Sequence, residues 1–149
     1  GEEKFKPALE IMREIGDKEG EASCFHELAT NDLELGSYES ALNESQQALI
    51  LYEYLESPGD MADEFYFLGE IASLLDRPIG AIQLLGLSVH LYQSVNHPST
   101  PDVLSILDQI SSGYSTEQAQ FFIQQTVEKF QAEGVAAVVD SIFSDHSTT

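Results

Sequence analysis

The sequence predicts an all-α protein, a stack of antiparallel helix hairpins with about seven helices, and three observations carry that prediction. The first is an internal repeat. Phe25–Tyr52 reappears 40 residues on as Phe65–Tyr92, which sets Phe25 on Phe65, Leu28 on Leu68, Ala29 on Gly69, Leu35 on Leu75, Ala41 on Ala81 and Leu42 on Ile82. The second is helical spacing of the apolar residues inside each copy. The third is the shortness of the turns between segments, which forces successive helices to run antiparallel. A fixed period in this range marks units that cannot bury an apolar face alone and stack to build a continuous core.

Residues 3–15 form the first helix, with Phe5, Ala8, Leu9, Met12 and Ile15 at helical spacing and Gly16-Asp17 closing it. By register this is the second helix of a repeat whose first helix is missing, so upstream repeats are expected in a longer parent chain. Residues 17–56 form repeat one. Asp17 caps a helix whose apolar line is Phe25, Leu28, Ala29 and Leu35; Gly36 ends it, and Ser37 caps a helix through Ala41, Leu42, Ala48, Leu49, Tyr52 and Leu55. Residues 57–96 form repeat two, opened by Ser57-Pro58-Gly59-Asp60 and turned at Asp76-Arg77-Pro78. Its second helix, Ile79 to Val95, is apolar on nearly every side, which predicts burial on every side.

Beyond Pro98 the register weakens. Val103, Leu104, Ile106, Leu107 and Ile110 suit a short helix, and Ser115 with Gln118 makes a capping box for the next, through Ala119, Phe122, Ile123, Val127 and Phe130. We read residues 100–133 as a degenerate third repeat, 134–144 as a capping helix after Gly134, and the tail SDHSTT as frayed. All of it belongs to one domain, residues 1–149.

Composition excludes several classes. A formal charge of −20 repels phosphate backbones and anionic membrane surfaces, so neither nucleic acid nor membrane is expected as a partner. No apolar run approaches the roughly 20 residues needed to span a bilayer. Cys24 is the only cysteine, which fits a reducing, cytoplasmic setting and a role as core filler. His26, His90, His97 and His146 lack close metal-ligand spacing, Gly80 and Gly86 suit helix packing rather than phosphate binding, and the scattered carboxylates form no catalytic pair. No enzyme, metal or cofactor is expected.

On these residues the chain resembles the tetratricopeptide repeat in its longer, 40-residue form, found in kinesin light chains and bacterial signalling proteins. The large first-helix residue is Phe25, the Leu-small pair Leu28-Ala29, the turn Gly36-Ser37-Tyr38, and the small second-helix slots Ala41 and Ala48. In the second copy Phe65, Leu68-Gly69, Ala81 and Ser88 correspond, while Asp76 and Pro78 replace the turn glycine and aromatic. The first-helix aromatic slot holds Asp32 in the first copy and Ala72 in the second. The resemblance covers residues 3–95 well and 96–133 poorly. It implies a right-handed superhelix with a concave groove, and a protein or peptide ligand.

The groove that the resemblance implies is lined by Ser23, His26, Glu27, Thr30 and Glu34, then by Asp63, Tyr66, Phe67, Glu70 and Leu74. From Glu19 to Asp76 the chain holds fourteen Asp or Glu residues and no Lys or Arg. The expectation is an acidic surface floored by Tyr66 and Phe67 that binds basic segments by charge pairing and cation–π contact, set against a merely solvated acidic face. A clamp for C-terminal carboxylates, which the family builds from Lys, Arg and Asn, is disfavoured by His26, Thr30 and Phe67 at those positions. The function expected is a non-enzymatic scaffold module; the alternative is a peptide-sensing regulatory domain of a larger signalling or transcription protein. The terminal segments are expected to cover the Ile79–Val95 helix, with self-association through it or the C-terminal helices as the other possibility.

Overall fold

The computed structural model describes residues 2–144, and side chains from Pro7 onward. His146, the tail from residue 145 and the Phe5 side chain lie outside that range. Eight helices follow one another: α1 Glu2–Glu14, α2 Lys18–Glu34, α3 Tyr38–Tyr54, α4 Pro58–Leu74, α5 Pro78–Ser94, α6 Thr100–Ile110, α7 Thr116–Glu133 and α8 Val135–Phe143. That is one more than the expected seven or so. Consecutive helices from α1 to α6 pack against each other in antiparallel fashion, most closely α2 with α3 and α4 with α5. No helix among the described residues is long and apolar enough to cross a membrane.

Helices α2 to α5 each have 17 residues and start 20 residues apart. A shared turn sets this spacing. After each helix one residue takes a left-handed backbone, Gly16, Gly36, Glu56, Asp76 and Asn96 in succession, with φ of 73°, 77°, 53°, 57° and 52°. The turn closes on two backbone bonds, for example Gly36 N–H to the Leu33 carbonyl at 3.0 Å and Ser37 N–H to the Asp32 carbonyl at 2.8 Å, and the same pair recurs at all five turns. Asp76 therefore stands where a glycine was expected without changing the turn. At Glu56 a side chain occupies a conformation that disfavours it by about 1–2 kcal/mol, partly offset in glycine by the greater freedom of the unfolded chain. Glu56→Gly is expected to stabilise the protein by roughly 0.5–1 kcal/mol, read as a higher urea midpoint at unchanged slope.

The spacing also moves some expected core residues outward. Leu35 and Leu55 are the C-cap residues before these turns, and Leu35 is 71% exposed, as Ile15 is at 68%. Of the expected caps, Asp17 accepts from Gly20 N–H and Ser115 with Gln118 forms the full capping box. Ser37 stands at its N-cap but makes no side-chain cap bond, and the Ser57 hydroxyl donates to Asp60 Oδ2 at 2.6 Å instead.

Phe25, Leu28, Ala29, Ala41, Ala48, Phe65, Leu68, Ala81 and Ile82 are buried together in one core, with Cys24 among them. The chain itself buries most of α5: α4 and α6 flank it, α7 lies over it, and Ile142 of α8 touches Gly80. The burial on every side expected of this helix is not complete, since Ile79, His90 and Gln93 form an exposed strip and Val95, at its C-cap, is exposed as well. Gly86 forms a notch for α7, since a Cβ there would stand 2.3 Å from Ile123 Cγ1.

After α6 the pairing changes. α7 packs chiefly on α5 and α8 rather than along α6, and sets Phe130 edge-on to Phe65 at 6.0 Å between ring centroids. A cleft of about 430 Å³ remains between α6 and α7, lined by Leu107, Ser111, Tyr114, Ala119 and Ile123 among others. Residues 100–133 thus depart in packing as well as in sequence from the two preceding pairs. Gly134, with φ of 90° and ψ of −175°, then turns the chain so that α8 runs back to α3. Glu53 of α3 accepts the Val135 N–H at 3.0 Å, and Arg77 donates to the Ile142 carbonyl at 2.8 Å. An anion at the N-terminus of α8 and a cation at its C-terminus both match the helix dipole. Val135, Val138, Val139 and Ile142 are the residues α8 buries.

Candidate functional site

α2, α4 and α6, alternate helices of the row, carry the candidate site. α2 and α4 meet through His26 and Glu64. Glu64 has no exposed surface, and its carboxylate oxygens lie 2.8 and 3.0 Å from His26 Nδ1. An ionised carboxylate only accepts, so Nδ1 carries the proton and donates it. The half-buried His26 ring also stands edge-on to Phe67, with centroids 5.9 Å apart. The carboxylate partner raises the proton affinity of His26 above the ordinary histidine value, against the opposing effect of burial. Burial raises that of Glu64, against the opposing effect of His26.

Polar ties fix the neighbouring side chains. The Thr30 hydroxyl donates to the His26 carbonyl within its own helix, and the Ser88 hydroxyl of α5 donates to the Ala62 carbonyl of α4. Tyr92 of α5 donates to Asp63 Oδ1 and stacks on His97, with 4.5 Å between centroids. Tyr52 has its phenol pushed up to about 12, chiefly by burial.

Between α4 and α6 the surface opens into two adjoining clefts. The first, of about 260 Å³, has Gly69 and Leu85 in its floor and Tyr66, Leu74, Ile106 and Ile110 around it, bordered by Glu70 and Ser73. Gly69 belongs there because a Cβ would sit 2.9 Å from Leu85 Cγ. The second, of about 230 Å³, is lined by Tyr66, Tyr92, Ser99, Asp102, Val103 and Ile106. Tyr66 and Ile106 are common to both. The Tyr66 phenol is raised by burial, then by the charges of Glu70 and Asp102, which places both carboxylates near it. Burial raises Glu70 too.

Among the ten expected groove residues, Ser23, Glu27, Glu34, Asp63, Glu70 and Leu74 are exposed, and His26, Thr30 and Tyr66 are half-buried. Phe67 corrects the expectation: it is buried, 7% exposed, because it packs against His26 between α2 and α4, so it floors no open surface. Tyr66, Glu70 and Leu74 share one cleft; the other seven line neither of the two clefts. Glu64 was missed, although the 40-residue register places it on buried Cys24 and so in a core slot. The α6 contribution, Asp102, Ile106 and Ile110, was missed because the repeat register fades there. Among the described residues no group of three or more His, Cys, Asp or Glu is arranged to hold a metal ion. No protein-family model, curated protein or solved structure matches the chain.

Proposed function

We propose that the chain is a non-enzymatic binding module of tetratricopeptide type, a right-handed superhelix whose α2–α4–α6 face takes a basic protein or peptide segment. One observation carries the reading. The face holds Glu27, Asp63, Glu70 and Asp102 with no ion-pair partner among the described residues, beside an apolar cleft walled by a half-buried tyrosine. A solvated acidic face has no need of the cleft. Among the described side chains the cations are engaged elsewhere: Arg77 is bonded to α8, Arg13 pairs with Glu21, Lys18 lies over the Tyr54 ring and Lys129 pairs with Glu133. Self-association through Ile79–Val95 has less support, since the chain buries most of that helix with its own residues and leaves only a narrow strip with Ile79 and His90, and Val95 at the end, exposed.

Calorimetric titration with short Lys/Arg-rich peptides is expected to give saturable binding that weakens severalfold at raised salt, because exposed charge pairs are screened. Absence of binding, or binding indifferent to salt, overturns the reading.

A further inference from the structure

The two α4–α6 clefts differ in chemistry and share a wall, and this restricts the ligand further than net charge does. The first is built from aliphatic side chains, Leu74, Leu85, Ile106 and Ile110, over the space left by Gly69. The second is faced by two phenols, Tyr66 and Tyr92, with Asp102, and the Tyr92 hydroxyl brings Asp63 alongside. Tyr66 and Ile106 line both clefts and so form their common wall. Carboxylates beside a tyrosine face are the setting in which a guanidinium gains both charge pairing and a cation–π contact, and neither Asp63 nor Asp102 has a cation of its own among the described residues.

We propose that this pair of clefts reads a two-residue signature in an extended, basic segment of a partner protein: an aliphatic side chain in the Leu85 cleft and an arginine in the Tyr92–Asp102 cleft. In an extended chain neighbouring side chains point to opposite sides, whereas residues two apart point the same way at a separation of about 7 Å. Adjoining clefts that share Tyr66 and Ile106 call for neighbouring side chains on one face of the ligand, so the signature has its aliphatic and arginine residues separated by one residue. Leu85 belongs to α5, which α4, α6 and α7 hold in place, so the first cleft has a fixed floor. The proposal rests on the α2–α4–α6 face being a binding face for basic segments, and sharpens it from a charge preference to a pattern.

The test uses the intact chain, methyl-labelled on Ile and Leu, titrated with a peptide containing Leu-Ser-Arg-Ser-Leu, which offers the pair in either chain direction. Ala-Ser-Arg-Ser-Ala and Leu-Ser-Gln-Ser-Leu are the controls. The first peptide is expected to bind at least tenfold more tightly than either control, with the largest methyl shifts at Leu85, Ile106 and Ile110. Asp102→Asn, an exposed substitution, is expected to remove most of the preference for Arg over Gln while leaving that for Leu over Ala. Equal binding of the Leu and Ala peptides, or shifts confined to α2, overturns the two-cleft pattern while leaving the basic-segment reading intact. Equal binding of the Arg and Gln peptides overturns the assignment of the second cleft. If none of the peptides binds, and Lys/Arg-rich peptides also fail, the binding-face reading falls and the pattern with it.

Discussion

His26→Ala is expected to lower stability by about 3 kcal/mol, measured by urea denaturation at neutral pH. Removing one partner of a buried charged pair costs about 3–5 kcal/mol, because the other is left without compensation; the lower end applies because His26 is itself partly exposed. Glu64, with no exposed surface, is the group stranded. Glu64→Gln keeps an acceptor for Nδ1 and is expected to lose only about 1 kcal/mol. If the two substitutions destabilise equally, the pair is not what holds α2 to α4. The pair also sets a pH dependence. His26 binds its proton more tightly folded than unfolded, so its contribution is complete below the ordinary value of 6.5 and is lost as pH rises through the raised folded value. Glu64 is raised as well, so it acts in the same sense, with stability lost as pH rises through its folded value. The melting temperature should therefore climb as pH is lowered from about 8 toward 5, helped by partial discharge of a chain carrying −20. His26→Gln should flatten the upper part of that rise.

Gly86→Ala is expected to destabilise by about 2 kcal/mol, although alanine is the better helix former by about 1 kcal/mol. The new methyl would lie 2.3 Å from Ile123 Cγ1 and 2.8 Å from both Cδ1 and Cγ2, so the whole Ile123 side chain must move and α7 must rise from α5. Truncating Ile123 supplies the missing room. The Gly86→Ala/Ile123→Ala double variant should be less destabilised than the sum of the two single variants by about 1–2 kcal/mol, the sign expected of residues competing for one space. Strict additivity in denaturant unfolding would mean that α7 is not seated on Gly86.

What the sequence could and could not reveal follows from how far each feature reaches along the chain. Phe25, Leu28, Ala29, Ala41 and their counterparts 40 residues on report local helical periodicity, and the core contains them. Gly16 and Gly36 announce the turns they make, but Glu56 and Asn96 adopt the same left-handed conformation without a glycine to mark it, so the full 20-residue regularity was hidden. Leu35 was assigned to an apolar line by spacing alone, yet it falls on the cap, where the chain is already leaving the core. Phe67 is buried against its expected exposure and Glu64 carries no sign of its role, because both meet His26, a residue of another helix 38 positions from Glu64. The α4–α6 clefts depend on which helix faces which after the repeat register has faded.

The clamp on α8 bears on cooperativity. In a linear stack each unit answers only to its neighbours, and an end can peel away while the rest stays folded. Here the last helix is bonded at its start to Glu53 and at its end to Arg77, partners 82 and 65 residues back along the chain. Those two bonds turn the row of helices into a closed circuit running from α3 through α7 and back. Loosening the C-terminal end then means opening contacts to α3 and to the α4–α5 turn as well, so the helices from α3 onward share one fate and the spacing of α4 and α6 is held within the circuit.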